Sequence, residues 1–540
     1  MTVGNLLEKS IDGREKEVFF TSDESLDHYG VDSAGLTGAG LRDLINRLSN
    51  IVHHSGVQRF DRVAIWKANS LDYFLWSLAI MRRGAISTPV NGGMPAENML
   101  RFIHHCGVRT LVTDKAGLDR LAASGAPLDA LKQIFVTDGD GARSDTRVEP
   151  LAKWLGAAGI DYTPPYMSFD QHVIICHTSG TTGLPKGVLH GSDGFIAAAK
   201  GQMKIQFITR RNAILCPLWM NHHLSHAACL TSLAAGVRCH VITNHDAAHV
   251  LENIQRRKPR LLLSFPDVYQ RMCAAGLENY DLSSVRMWMT TGDAMHEYFI
   301  RQLTAQGAFL RVFGTPVIGS LFMEFFGTSE IGSAALVKIS ERRTRQYGRM
   351  IGRPTPVGPA IRIGDAEGRP LPANTIGRIM VRGATLFKGY WNNHDRGHDV
   401  IREDWWWSGD VGYRDQFGRF YQIDRDVDTV DTALGPVYGL PIEEEALKLP
   451  GVDEAVLLAR PGETGNEAVM MLQMAPDVRA DPAALLEQLK ASCLWAKNVS
   501  EILIATPADI PRGLTGKVLK RALRDSLRAA PEQQAAARTA

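Results

Sequence analysis

Val173-Ile174-Ile175-Cys176-His177-Thr178-Ser179-Gly180-Thr181-Thr182-Gly183-Leu184-Pro185-Lys186-Gly187 is the stretch from which the rest of this 540-residue chain is read. The apolar run at its start reads as a buried strand. The ten residues after His177 hold three glycines, four hydroxyls and a lysine. Glycines let successive backbone N–H groups turn inward and form a nest for phosphate oxygens, and Lys186 adds positive charge. The loop therefore suits a polyphosphate. It is not the G-x-x-x-x-G-K-[ST] type, because no Gly-Lys-Ser/Thr occurs in it.

Outward from that loop, helical periodicity alternates with short β-branched or apolar runs, both upstream over 36–114 and downstream through VRCHVIT, PRLLLSF and VRMWMTTGD. Such alternation predicts helices packed on largely parallel sheets. Past about Arg353 the pattern becomes short strands separated by Gly, Pro and Asp, which predicts an antiparallel region. The expected fold is α/β: a large N-terminal domain of helix-covered sheets with a β-rich subdomain (1–424), a hinge (425–428) and a small mobile α+β C-terminal domain (429–540). A helix is expected at 482–494.

Composition narrows the partners. The chain is 45% hydrophobic and 22% charged with a net charge of +2, which predicts no strong attraction to nucleic acid or to an anionic membrane. Seven scattered cysteines do not form a secreted disulfide framework. The opening MTVGNLLEKSIDGREKEVFF lacks a signal-peptide pattern, and no apolar run reaches the length of a membrane helix. A cytoplasmic protein acting on a small molecule is expected.

Further motifs follow the loop in order: Thr291-Gly292-Asp293-Ala294, Phe326-Gly327-Thr328-Ser329-Glu330, Trp407-Ser408-Gly409-Asp410, Arg425 fifteen positions later, and Pro511-Arg512-Gly513-Leu514-Thr515-Gly516-Lys517. With TSGTTGLPKG, this series resembles the superfamily of acyl-CoA synthetases, carrier-linked adenylation domains and beetle luciferases, over nearly the whole chain. The resemblance implies ATP, Mg²⁺ and coenzyme A as cofactors. It implies that Thr178, Ser179, Gly180, Thr181, Thr182, Gly183 and Lys186 cradle the phosphates, and that the backbone of Gly292, Asp293 and Ala294 lines the purine. Phe326 and Gly327 would flank the adenine, on which Phe326 stacks; Ser329 would contact the α-phosphate region and Glu330 would hold Mg²⁺. Asp410 and Arg425 would meet the ribose. Lys517 would enter the cleft between the acid's carboxylate and the α-phosphate, where two anions must approach. A carboxylate is the oxygen ligand a hard cation takes, and a fixed carboxylate facing a diol makes short, strong hydrogen bonds.

The same resemblance puts the pivot of the C-terminal domain two residues past Arg425, at Val427, where the family usually has Asp or Lys. The segment after it, 432–441, also departs from the family's path for the incoming thiol. Adenylation domains for α-amino acids carry an aspartate in the segment matching 217–224; here no acidic residue lies between Pro217 and Gly236. An ammonium buried without a partner is costly, so the expected acid is aryl, alicyclic or fatty. Trp219, His222, His223, Phe265, Phe322 and Phe325 are its candidate walls. The expected activity is an AMP-forming acyl-CoA ligase. Three alternatives stay open: an enzyme performing only one half-reaction, a ligase loading a separate acyl carrier protein, and a non-catalytic acyl- or nucleotide-binding protein.

Overall fold

A computed structural model describes residues 1–31, 35–139, 145–178, 185–205, 212–344, 349–393, 401–402, 404–476, 478–512 and 518–528. Its elements start where local chemistry dictates. The helix Gly38–His54 is opened by Thr37, whose hydroxyl accepts the Gly40 N–H. The helix Asp72–Arg83 is buried almost throughout, and Gly84 ends it in a left-handed conformation. The apolar runs seen in the sequence become strands with buried faces, around fully buried Trp66, Trp76 and Trp288.

Among the described residues, eight strands form one sheet. Arg62–Ile65, Ile86–Pro89, Thr110–Thr113, Gln133–Val136, Val148–Pro150 and His172–His177 run parallel. Gly187–Gly191 folds back antiparallel on His172–His177, so the glycine-rich loop joins the two arms of a hairpin. The two-residue strand Gly389–Tyr390 pairs with Leu189 and Val188 on the outer edge.

A second sheet of fourteen strands is parallel across Val18–Ser22, Arg238–Ile242, Ala213–Pro217, Leu261–Ser264, Met287–Thr291 and Leu321–Phe326. It then turns antiparallel through Leu336–Ser340, Met350–Pro354, Phe420–Arg425, Trp405–Arg414, Gly377–Arg382 and Ala360–Gly364. This change comes earlier than the composition shift near Arg353, because Leu336–Ser340 already returns alongside Leu321–Phe326. The mixed α/β class stands as expected.

Residues 430–505 carry a separate five-stranded sheet with its own core around Ile442, Leu457, Met470 and Leu489. The helix expected at 482–494 runs Pro482–Ser492, opened by Asp481 accepting the Ala483 N–H, and a 3₁₀ turn Leu494–Asn498 follows. No described helix is long and apolar enough to cross a membrane.

Candidate active site

The feet of the glycine-rich loop are fixed. The Thr178 N–H donates to the Lys186 carbonyl (3.1 Å). Half-buried His177 accepts the Asn91 N–H at Nε2 (3.0 Å) and donates through Nδ1 to the Thr178 carbonyl (3.2 Å), while desolvation pushes its pKa down and keeps it neutral. Lys186 places Nζ 4.7 Å from the centre of the Tyr390 ring, a cation–π distance. Ser179, Gly180, Thr181, Thr182 and Gly183 lie outside the described residues, as does Lys517.

Tyr390 links that lysine to the next motif. Its hydroxyl donates to Glu330 Oε1 (3.0 Å), and the Glu330 carbonyl accepts the Phe387 N–H (2.8 Å). The turn holding Glu330 needs glycine at 327, where a Cβ would meet the Ser333 carbonyl at 2.5 Å. The Ser329 carbonyl accepts from His190 Nε2 (2.7 Å); burial pushes His190 down to about 4, so the ring is a neutral donor there. Phe326 is half-buried between two small apolar clusters.

Asp410 and Arg425 are direct cross-strand partners, with Nε 3.8 Å from Oδ1. Gln422 donates to the same Oδ1 (2.8 Å), and the Asp410 N–H bonds the Ser408 hydroxyl (3.2 Å). Burial raises the pKa of Asp410, Arg425 and the hydrogen bonds oppose the rise, and the charge of Glu330 adds to it. That influence of Glu330, the smallest of those acting on Asp410, puts the two motifs within electrostatic range of one another.

Beside it, the His222 ring meets Phe265 edge-on (5.2 Å between centres), and Phe265 lies where a Cβ on Gly292 would touch it at 3.5 Å. Gly292 has φ +94°, a conformation that favours glycine. Asp293 caps its own turn by accepting the Ala294 N–H (2.9 Å). The Thr291 hydroxyl donates to the Phe325 carbonyl (2.8 Å). His223 is buried between His190 (4.5 Å) and Phe195 (4.8 Å), neutral because burial and the neighbouring imidazoles depress its pKa. His222, His223, Phe265 and Phe325 thus gather around the turn at 326–330.

Two expected walls behave differently. Phe322 is wholly buried against Tyr269 in the core beneath the helix Pro266–Ala274, because on a strand it points to the face opposite Phe325. It is a core residue and forms no wall. Trp219 packs on His245 (4.7 Å) and lines a crevice of about 330 Å³ with Asn69, Gly92, Gly93, Asp114 and Arg120.

The family model described as AMP-binding enzyme matches residues 13–391. The chain belongs to that family. Among curated relatives of this AMP-binding enzyme, 3-aminoavenalumate diazotase of a Streptomyces species is 31% identical, over 89% of this chain and 87% of its own. A long-chain-fatty-acid–CoA ligase of Mycobacterium tuberculosis is 26% identical, over 91% and 93%. Two solved structures share the fold: an anthranilate CoA ligase in complex with anthranoyl-AMP (TM-score 0.82, 18% identity, 98% of each chain) and ATP-bound MatB from Rhodopseudomonas palustris (TM-score 0.81, 23% identity, 97% and 99%). Sequence reasoning missed Tyr390, His190 and Gln422 in this AMP-binding enzyme. The Lys388-Gly389-Tyr390-Trp391 run was the one local signal for Tyr390.

Proposed function

We propose that this enzyme uses ATP and Mg²⁺ to convert a carboxylic acid other than an α-amino acid into an acyl-adenylate, and passes the acyl group to coenzyme A. The observation that carries the reading is the chain of contacts from Lys186 through Tyr390 to Glu330 at the loop end of the glycine-rich hairpin, with the Asp410–Arg425 pair within electrostatic range. In the first step a carboxylate oxygen of the acid attacks the α-phosphorus and the bond to pyrophosphate breaks. In the second, the thiol sulfur attacks the acyl carbon and AMP leaves.

The loop 178–187 and Lys186 take the phosphates. Glu330 fits a hard divalent cation, since it is a part-buried carboxylate steered by the Tyr390 hydroxyl, and carboxylate oxygens are the ligands such an ion takes. Mg²⁺ held there with the nucleotide's phosphates would neutralise their charge. Asp410 and Arg425 meet the ribose, and Gly292, Asp293, Ala294, Phe326, Gly327 and Ser329 border the base and α-phosphate. His222, His223, Phe265 and Phe325 border an aryl or alicyclic acid. Residues 1–424 form the binding domain, 425–428 the hinge about Val427, and 429–540 the lid that delivers Lys517.

The crevice lined by Trp219 suits the bulky end of the second substrate. It opens at the carboxyl ends of Arg62–Ile65 and Thr110–Thr113, where the strand order reverses and ligands of parallel sheets bind. Glycines 92 and 93 leave the backbone open there, and Arg120 offers a cation. A screen of aryl, alicyclic and fatty acids for ATP-dependent AMP release, with and without coenzyme A, tests the proposal. AMP release that needs an acid and rises with coenzyme A supports it; none with any acid ends it.

The 31% identity to a diazotase favours a second reading, in which the activated oxyanion is nitrite and the acceptor is a primary aromatic amine. A neutral aniline needs no carboxylate partner, in keeping with the lack of acidic residues between Pro217 and Gly236. AMP release that requires nitrite and an aminoaryl acid, and ignores coenzyme A, distinguishes this reading.

A further inference from the structure

Between the helix Glu297–Thr304 and the strand Leu321–Phe326 the chain makes a hairpin of two strands, Ala308–Val312 and Thr315–Gly319. They pair with each other and with no other described strand. Phe309 turns back against the main core. Leu310, Val312 and Val317 face solvent, and Phe313 at the tip is fully exposed.

The tip is also strained. Phe313 has φ +48° and Gly314 φ +82°, two successive left-handed residues, as in the tight hairpin turns that usually carry Asn-Gly. A bulky aromatic in the first of these positions is disfavoured by its own Cβ, and here it sits in water as well. Neither cost is repaid by a contact among the described residues of this chain.

One cation lies on the hairpin and two lie at its base. Arg311 lies on the hairpin and donates to the Gly314 and Ser283 carbonyls. Arg286 is exposed at the base, where its carbonyl accepts the Leu321 N–H (2.9 Å) and the neighbouring Val285 carbonyl accepts the Ala308 N–H (3.1 Å). Arg342 packs beside Gly319, 3.9 Å from where a Cβ there would lie. None of these three arginines forms an ion pair among the described residues, and Glu341 is the acid on the adjoining turn.

We propose that this hairpin is a peripheral anchor for an anionic lipid bilayer: Phe313 with Leu310, Val312 and Val317 enters the interface, and Arg286, Arg311 and Arg342 meet the headgroups. A convex apolar tip with a cationic collar matches a fluid anionic surface. A protein partner of ordinary size would need a broader, flatter face. The overall charge of +2 conceals this local concentration. The hairpin adjoins the amino end of Met287–Thr291, and the candidate site adjoins its carboxyl end at Gly292, so an attached molecule keeps the site open to water. The inference does not depend on which acid or acceptor is used.

The test is co-sedimentation of the full chain with vesicles of phosphatidylcholine alone or with about 30 mol% phosphatidylglycerol. The expected result is binding to the anionic vesicles only, weakened by salt, and reduced about tenfold or more in Phe313→Asp and in an Arg286→Glu/Arg342→Glu pair at unchanged melting temperature. The Phe313→Trp variant should gain a blue-shifted emission increment over the wild-type protein on adding anionic vesicles. Equal sedimentation with neutral and anionic vesicles, wild-type binding by Phe313→Asp, or no such increment in Phe313→Trp would overturn the proposal. So would light scattering that finds a dimer which Phe313→Asp dissociates, because the hairpin would then be a contact between two copies.

Discussion

Glu330 makes the most exacting demands of any side chain in the site. Its carboxylate is steered by the Tyr390 hydroxyl, its carbonyl is held by Phe387, and Lys186 lies across the same tyrosine ring. Glu330→Gln should lower acid-dependent AMP formation by about 100-fold or more, the range for loss of a charge acting on the transition state. Tyr390→Phe, which removes only the steering bond, should cost about tenfold and raise the Mg²⁺ requirement. Both are read from initial rates across a magnesium titration. The sequence made Glu330 and Asp410 legible because each follows a glycine-bearing turn. Tyr390 was not, since it reaches Glu330 from 60 positions away through a short edge strand. His190 was hidden for a similar reason: a histidine within a strand reads as core, and 139 positions separate it from Ser329.

Secondary-structure elements show where pattern reading works and where parity defeats it. The alternation that predicted the α/β class needs only the periods of helix and strand. Telling Phe322 from Phe325 needs the face each presents, and a run such as Leu321-Phe322-Met323-Glu324-Phe325-Phe326 is apolar on both faces. Glu324 interrupts that run for a reason visible only in the sheet. It is the cross-strand partner of Lys338, their charges lie 2.8 Å apart, both side chains are nearly buried, and Glu324 Oε1 accepts the Met295 N–H beyond the 291–294 turn. Glu324→Gln leaves a buried ammonium without its counter-charge and should destabilise the protein by about 3–5 kcal/mol. Urea unfolding measures the loss, and a raised KM for ATP should accompany it as the turn at Gly292 loosens.

In the molecule as a whole, the segment 520–528 holds the region after Arg425. Arg524 bonds the Val427 carbonyl (2.8 Å) and Asp428 (2.9 Å), and Lys520 pairs with Glu443 (2.7 Å). Asp424 accepts the Gly439 N–H (2.5 Å). Burial pushes Asp424 up to about 6 from its usual 3.8, against the opposing charge of Lys520. The folded chain thus holds this proton more tightly than the unfolded chain. Its contribution is complete below about pH 3.8 and is lost as pH rises through about 6, a change of up to about 2–3 kcal/mol. Asp424→Asn should flatten that part of the stability curve, measured by urea midpoints from about pH 4 to 7. For Lys517, the proposed lid role predicts that Lys517→Ala abolishes acid-dependent pyrophosphate exchange and largely spares thioester formation from supplied acyl-adenylate; equal loss of both contradicts it. The exposed Val427 was legible only as a departure from a pattern, because its clamp comes from 97 positions downstream. The edge strand Gly389–Tyr390 has a mechanical consequence. It rivets the β-rich portion to Val188 and Leu189, while the continuous fourteen-stranded sheet welds that portion to the rest at Leu336–Ser340. The frame is thereby closed upon itself; under the lid motion proposed above, torque is spent beyond Arg425 and the gap between Lys186 and Glu330 keeps its width.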